Sequence, residues 1–261
     1  MTDGTSAGGP AMDGAVTVAE AGGVRRIRID RPGKANALSA AMMAELAAAI
    51  AAPGSAALAV IEGAGPRGFC AGADIGEFIR GAGNLARQEE GLRAIVEACL
   101  SSPRPLVAAI HGRTLGAGVL IAALCDVVLA ADDLAFGLPE IRFNMYPVLV
   151  HAVLEEKVSP ATAFQMCAGG RLVDAAEARA LGLVTDILPA AGFAAGVEPR
   201  LAFYRDNAEA LSIGRRARQV LKPSDLPARM DRLAPLMHEN FHRPRVRETI
   251  ARYLGGLGRG G

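Results

Sequence analysis

The chain has 261 residues and a formal net charge of +1, with 51% hydrophobic but only 4% aromatic residues. This size and composition predict one compact domain with an appendage, built on a core of Ala, Val, Leu and Ile. The near-neutral charge argues against nucleic acid or an acidic membrane surface as a main partner, and every apolar run is too short to span a bilayer.

The first residues, 1–15, are rich in Gly, Ala and Ser and are predicted to form a flexible tail. They lack the basic start and continuous apolar core of a signal peptide. Four cysteines without CxxC spacing predict reduced, buried thiols, and the absence of a His/Cys/Asp cluster predicts no metal site. We therefore expect a cytoplasmic protein.

Strand-like and helix-like segments alternate along the chain. Strands are predicted where short runs are apolar or alternate apolar and polar residues, at 24–29, 57–61, 106–110 and 126–130. Helices are predicted at about 39–52, where Ser39 is a favourable N-cap, at 85–100 and at 118–124. The region after Phe203 is expected to be mostly helical. This alternation predicts an α/β fold in which the turns after strands carry the chemistry.

Two glycine-containing turns, 68–74 and 115–118, each follow a strand-like run and precede a helix-like segment. Small residues allow the backbone to approach a ligand closely, and the first N–H groups of a helix have no partner inside the helix. Two such turns facing one point would form an oxyanion hole from backbone alone, which suits chemistry on a thioester. The alternative is a pair of tight turns that bind nothing.

These turns belong to a set of motifs that resembles the crotonase superfamily of enoyl-CoA hydratases and isomerases. In chain order the motifs are Asp30-Arg31-Pro32, Asn36-Ala37-Leu38-Ser39, Phe69-Cys70-Ala71-Gly72-Ala73-Asp74, His111-Gly112, Leu115-Gly116-Ala117-Gly118, Cys125-Asp126, Phe136-Gly137-Leu138-Pro139-Glu140 and Ala175-Ala176-Glu177-Ala178 followed by Gly182-Leu183-Val184. The resemblance implies a ClpP/crotonase-like spiral of ββα units over 16–195. It also implies a helical region, 196–261, that assembles homotrimers, often paired into hexamers.

The resemblance further implies an acyl-CoA substrate whose thioester oxygen lies between the N–H groups of Ala73 and Ala117. Relatives usually carry Gly where Ala117 stands, and its methyl group is tolerable if the local φ is negative. The implied contacts to coenzyme A and the acyl chain are Lys34, Ala35, Ala37, Ala71, Asp74, Ile75, Leu120, Tyr146 and Pro147. Asp74 is also a favourable first-turn carboxylate. Coenzyme A arrives as part of the substrate, so we expect no separate metal or redox cofactor.

The carboxylates decide which chemistry is expected. Hydratases of this family generally use two glutamates, and this chain has Leu120 at the first position and Glu140 at the second. One carboxylate can move a proton between two carbons of an acyl chain but cannot easily divide acid and base roles on a water. The pattern resembles the Δ3,Δ2-enoyl-CoA isomerases and predicts Glu140 as the acid/base.

Three alternatives remain open from the sequence. The chain could be a hydratase whose second acid/base group we cannot place, with His151 as one further candidate. It could be a non-catalytic acyl-CoA-binding scaffold. Glu140 could also be a structural carboxylate in a salt bridge, for example with Arg142.

Overall fold

The computed structural model describes residues 14–79, 82–221 and 225–257. The expected tail, 1–15, lies outside the described residues except for its last two positions, and Ala15 is already part of a strand. The strands are β1 (Ala15–Ala21), β2 (Val24–Asp30), β3 (Leu58–Gly63), β4 (Leu106–Ile110), β5 (Arg113–Leu115), β6 (Val127–Ala131), β7 (Ala135–Gly137), β8 (Leu172–Val173) and β9 (Asp186–Leu188).

Helices occupy most of the remaining described chain. They are α1 (Ala40–Ala51), α2 (Ile75–Ile79), α3 (Ala82–Ser101), α4 (Ala117–Leu124), α5 (Val148–Leu154), α6 (Pro160–Gly169), α7 (Ala175–Ala180), α8 (Phe193–Asp206), α9 (Ala208–Leu221), α10 (Leu226–His242) and α11 (Pro244–Leu257). Two short 3₁₀ turns, Pro32–Lys34 and Pro139–Phe143, precede α1 and α5. Ser39 caps α1 as predicted, since its side chain accepts a hydrogen bond from the N–H of Met42.

The main sheet has six strands in the order β1-β2-β3-β4-β6-β9, and only β1 pairs antiparallel. Parallel neighbours require crossover connections, which the helices supply. Strands β3, β4 and β6 are apolar and buried along almost their whole length because both faces of the sheet are covered. The predicted α/β class is thus confirmed.

The two faces of the main sheet belong to different apolar clusters. On one face, Ile61 and Ala108 pack into the main core with α1 and α3. On the other face, Val60 and Val107 pack with Val197 and Leu201 of α8. The successive residues 60 and 61 point to opposite faces, as the two-residue period of a strand requires.

A second, three-stranded sheet has the order β5-β7-β8 and positions the site. Strands β5 and β7 are parallel, and Leu115 at the end of β5 pairs with Gly137 at the end of β7. The carboxyl ends of these neighbours therefore deliver two turns to one point: 116–117 after β5 and 139–140 after β7.

None of the described helices has the length and apolar content that a membrane crossing needs. All four cysteines are free and buried, as the sequence predicts.

Candidate active site

The first glycine turn is held between two other segments of backbone. On one side the N–H of Leu38 donates to the carbonyl of Gly72, and the N–H of Asp74 donates to the carbonyl of Leu38, at 2.8 Å each. On the other side the N–H of Leu115 donates to the carbonyl of Cys70 at 2.9 Å. Since Leu38 binds the residues before and after Ala73, the N–H of Ala73 points away from Leu38 and toward the second glycine turn.

The second glycine turn touches the first. A Cβ atom added to Gly72, where φ is +101°, would lie 3.6 Å from the nitrogen of Ala117. Gly118 is packed more tightly still, since a Cβ atom there would lie 2.5 Å from the carbonyl oxygen of Cys70. Glycine at these positions is what lets the two turns meet.

Ala117 is the first residue of α4, and positive φ is found at Gly116 before it rather than at Ala117 itself. The methyl group of Ala117 is therefore accommodated, which meets the condition expected from the sequence. Among the described residues, neither the N–H of Ala73 nor that of Ala117 donates a hydrogen bond. Two unpaired backbone donors thus lie on two turns that contact each other.

Glu140 lies directly against the second turn. A Cβ atom on Gly116 would come within 2.7 Å of the Glu140 Oε1 atom, so glycine makes room for this carboxylate. The Oε2 atom is buried and has no hydrogen-bond partner among the described residues. Burial raises the pKa of Glu140 from its ordinary 4.5 to about 7. No ion pair joins Glu140 to Arg142 or to any other residue that the structure describes.

Leu120 is fully buried in α4, where its N–H donates to the carbonyl of Gly116 at 3.2 Å. It belongs to the same apolar core as Leu138, which precedes the Glu140 turn. Position 120, where a second carboxylate could stand, therefore carries an apolar side chain.

The residues expected to contact coenzyme A lie on the loop 32–38 beside the first turn. Ala35 adopts the left-handed conformation with φ 49°, and its carbonyl accepts from the N–H of Ala71 at 3.0 Å. The amino group of Lys34 lies 3.4 Å from Asp74 Oδ2, and this side chain is 45% exposed. Ala37 follows on the same loop. The backbone of this loop is thus fixed alongside residues 71–74.

Asp74 is engaged within the protein. Its carboxylate accepts from Arg31 at 2.9 Å in a buried ion pair and from the N–H of Gly76 at 2.9 Å, which fixes the start of α2. Burial alone would raise the pKa of Asp74, but Lys34 and Arg31 hold it below its ordinary value. Ile75, the next residue, packs in an apolar cluster with α11. Any contact of Asp74 with a ligand is therefore secondary to its pairing with Arg31.

Tyr146 and Pro147 follow the Glu140 turn and lead into α5. The side chain of Asn240 on α10 binds both main-chain groups of Tyr146: its Oδ1 accepts from the N–H at 3.3 Å, and its Nδ2 donates to the carbonyl at 2.9 Å. The Tyr146 hydroxyl lies 3.0 Å from His151 Nδ1. Tyr146 and Pro147 thus lie between the Glu140 turn and α5.

Two positioning residues escaped the sequence analysis. Asn36 is fully buried and connects three loops: its Oδ1 accepts from the N–H of Arg31, and its Nδ2 donates to the carbonyls of Ala64 and Gly68. An asparagine in the loop before the helix predicted at 39–52 was a usable signal, because asparagine tolerates the left-handed region better than most residues, and φ at Asn36 is 59°. Asn240 offered no such signal, since its partner lies 94 residues away.

The geometry defines an α/β enzyme site built from two backbone donors and one buried carboxylate. The sequence model of the family "Enoyl-CoA hydratase/isomerase" matches residues 19–211. The chain is 32% identical over 236 residues to a probable enoyl-CoA hydratase of Rhodobacter capsulatus, covering 89% of this chain and 91% of the relative. This protein belongs to the enoyl-CoA hydratase/isomerase family of the crotonase superfamily, and it is an enzyme of that family.

Relatives with different activities are similarly close. The chain is 34% identical over 171 residues to cyclohexa-1,5-dienecarbonyl-CoA hydratase of Thauera aromatica, covering 64% of each chain. It is 31% identical over 196 residues to the peroxisomal enoyl-CoA delta isomerase 3 of Mus musculus, covering 72% of this chain and 62% of the isomerase. The crystal structure of an enoyl-CoA hydratase from Mycobacterium avium subsp. paratuberculosis K-10 superposes with a TM-score of 0.81 at 28% identity, over 94% of this chain and 97% of that one.

Proposed function

We propose that this enzyme shifts a double bond in an enoyl-CoA, with Glu140 as the acid/base of the isomerisation. The observation that carries the proposal is the carboxyl of Glu140 against Gly116, with its Oε2 atom buried and without a hydrogen-bond partner among the described residues, beside the two free backbone donors. Leu120 supports the same conclusion, because it leaves one carboxylate at the position where hydration would use a second.

The proposed reaction needs one group that both takes and returns a proton. The Glu140 carboxylate takes a proton from C2 of a 3-enoyl-CoA, and the electron pair moves through the conjugated system to the thioester oxygen. The N–H groups of Ala73 and Ala117 hold the resulting dienolate, and a donor of this kind is typically worth about 3 kcal/mol in the transition state. Glu140 then returns the proton to C4, which leaves a 2-enoyl-CoA and the original carboxylate.

The environment of Glu140 suits this cycle. A base with a pKa of about 7 is ionised in a large fraction of molecules at neutral pH, and its conjugate acid is strong enough to return the proton. The loop with Lys34, Ala35 and Ala37 and the backbone of Ala71 would line the coenzyme A portion. The side chains of Ile75, Leu120, Tyr146 and Pro147 would contact the acyl chain. Because the proposed reaction uses only Glu140 and the two backbone donors, it requires neither a metal nor a redox cofactor.

We also propose a homotrimer or a dimer of trimers, assembled through the helices of 196–261 and located in the cytoplasm. Exposed apolar side chains on the C-terminal helices support an assembled state, since Ile213, Val220 and Leu221 of α9 are 59%, 80% and 86% exposed in the single chain. Light scattering on the purified protein tests this, and a monomer at micromolar concentration would contradict it.

The test of the activity is a side-by-side assay with 3-hexenoyl-CoA and 2-hexenoyl-CoA. We expect conversion of the 3-enoyl compound in the wild type and its loss in Glu140→Gln, while acyl-CoA binding survives. Glu209→Gln, an exposed glutamate on α9, is the matched control and should behave as wild type. A binding scaffold would behave identically before and after the Glu140 change, and that result would overturn the proposal.

A further inference from the structure

A hydroxyl, an imidazole and a carboxylate follow one another along α5: Tyr146 precedes the helix, His151 lies within it and Glu155 is its C-cap. The Tyr146 hydroxyl lies 3.0 Å from His151 Nδ1. The other ring nitrogen, Nε2, lies 3.3 Å from Oε1 of Glu155, a charge contact without a hydrogen bond among the described residues. The isomerisation by Glu140 makes no use of this array.

The order of the three groups sets the direction in which a proton can move. With Nε2 facing a carboxylate, we assign the imidazole proton to Nε2, so Nδ1 accepts a hydrogen bond from the Tyr146 hydroxyl. The hydroxyl therefore has a base behind it, and Glu155 would stabilise the imidazolium if His151 took the proton. This is the arrangement that lets an oxygen accept a new proton while it gives up its own.

The array comes directly after the Glu140 turn along the chain. The N–H of Met145 donates to the carbonyl of Glu140 at 3.1 Å, so Tyr146 follows directly on the Glu140 turn. The helix α6 packs against both: it contacts the Glu140 turn, and the ring of its Phe164 lies 6.0 Å from the ring of Tyr146. Burial raises the pKa of the Cys167 thiol on the same helix to about 12, and the Glu140 carboxylate adds to this shift.

The array is also held rigidly. Asn240 fixes the main chain of Tyr146 through both of its polar groups. The ring of Phe164 on α6 packs against Tyr146 with centroids 6.0 Å apart and against His151 at 6.3 Å. A fixed main chain and a packed ring leave the Tyr146 hydroxyl little freedom to turn away from His151.

We propose that Tyr146 is a second proton-transfer group of this active site, with His151 and Glu155 as its positioning residues, and that with Glu140 it enables the enzyme to add water to a 2-enoyl-CoA. The inference rests on the proposed acyl-CoA site at Ala73, Ala117 and Glu140. Tyr146 would act in place of the glutamate that hydratases of this family generally have at the position of Leu120.

The proposed hydration begins at the Tyr146 hydroxyl. The Tyr146 oxygen takes a proton from water while its own proton passes to His151 Nδ1, and the water oxygen bonds to C3 of the substrate. The electron pair of the C2–C3 double bond moves to the thioester oxygen, held by the two backbone donors. Protonated Glu140 gives its proton to C2 as the enolate collapses. Solvent then carries the proton from His151 back to Glu140.

The charges around the array fit this sequence of transfers. Burial raises the pKa of Tyr146, and the nearby Cys167 and Glu155 raise it further, so Tyr146 keeps its proton until it receives another. Among the described residues, Arg229 of α10 also lies against the array, 3.9 Å from Glu155 Oε2.

The experiment compares hydration of 2-hexenoyl-CoA with isomerisation of 3-hexenoyl-CoA in single variants of the full chain. In Tyr146→Phe the kcat for hydration should fall at least about a hundredfold more than the kcat for isomerisation, with KM within about threefold. Tyr204→Phe, a tyrosine on the far face of the main sheet, is the matched control and should leave both rates at the wild-type level. Thermal melts check that every variant is folded.

His151 is tested by two substitutions that separate proton transfer from packing. His151→Gln keeps an acceptor for the Tyr146 hydroxyl but cannot take its proton, so hydration should fall about as far as in Tyr146→Phe. The second substitution is His151→Leu. If His151 only supported the fold, the hydration rate would be higher in His151→Gln than in His151→Leu. Glu155→Gln should have a smaller effect, about tenfold, because it removes charge stabilisation alone.

The outcomes separate this inference from the proposed function. Glu140-dependent isomerisation without wild-type hydration, or with hydration equal in Tyr146→Phe and wild type, overturns the role of Tyr146 and leaves the isomerase intact. Hydration rescued by Gln at His151 overturns the relay. If the wild type acts on neither substrate, the proposed function fails as well.

Discussion

Glu140→Gln should change stability as well as activity, because the Oε2 atom of the carboxyl is buried without a hydrogen-bond partner among the described residues. Below about pH 4.5 it is protonated in both the folded and the unfolded chain, so it costs nothing. Between about pH 4.5 and 7 the unfolded chain releases the proton while the folded chain retains it, so stability falls as pH rises. The shift from 4.5 to about 7 corresponds to about 3 kcal/mol once the carboxyl is ionised in the folded state.

Glutamine has the same shape and no charge to desolvate. We therefore expect Glu140→Gln to be more stable than the wild type by up to about 3 kcal/mol at pH 8, with the difference shrinking toward zero at pH 4.5. Urea unfolding at several pH values and one fixed protein concentration measures it, with Glu209→Gln as the control. Equal stability of variant and wild type at pH 8 would refute the argument, since it would mean that the carboxylate is well solvated.

The other predictions concern the same site and its supports. The kcat/KM for isomerisation should rise with pH to a plateau with a midpoint near 7, because Glu140 must be ionised to take a proton; a profile that is flat between pH 5 and 9 would exclude it as the base. Gly116→Ala should abolish turnover by pushing a methyl group into the Glu140 carboxylate. Gly182→Ala, with a similarly positive φ of +79° but nothing within 4 Å, should leave turnover intact; similar rates in the two variants would argue against the contact. Asn36→Ala should cost about 3 kcal/mol in urea unfolding by leaving three buried backbone groups unpaired, against less than about 1 kcal/mol for the exposed Asn207→Ala.

Long, strongly patterned segments could be predicted from sequence. The strand predicted at 57–61 is β3, and the helix predicted at 85–100 is α3, because each is long enough to show its apolar period. The strands of the small sheet could not be predicted. With two or three residues each, β5, β7 and β8 have no readable period, and only pairing between distant segments creates them.

The candidate site, too, could be predicted from the sequence only in part. Its glycine turns and Glu140 could be identified because motif residues lie close together along the chain. The contact of Gly116 with Glu140 could not, since it depends on the parallel pairing of β5 with β7. The contact of Tyr146 with Phe164 depends on the packing of α6 beside the Glu140 turn, which no local pattern specifies.

The proposed donors to the thioester are main-chain groups, and neighbouring segments of backbone fix them in place. Ala73 and Ala117 could exchange their methyl groups for other small side chains without loss of either N–H. The N–H groups proposed to bind the carbonyl oxygen are therefore independent of the side chains proposed to determine the reaction, which are those at 120, 140 and 146. In the proposed mechanism, a single substitution at one of these three positions would change the reaction of the enolate. The two backbone donors to the thioester oxygen would remain, so evolution could alter the reaction without losing substrate binding.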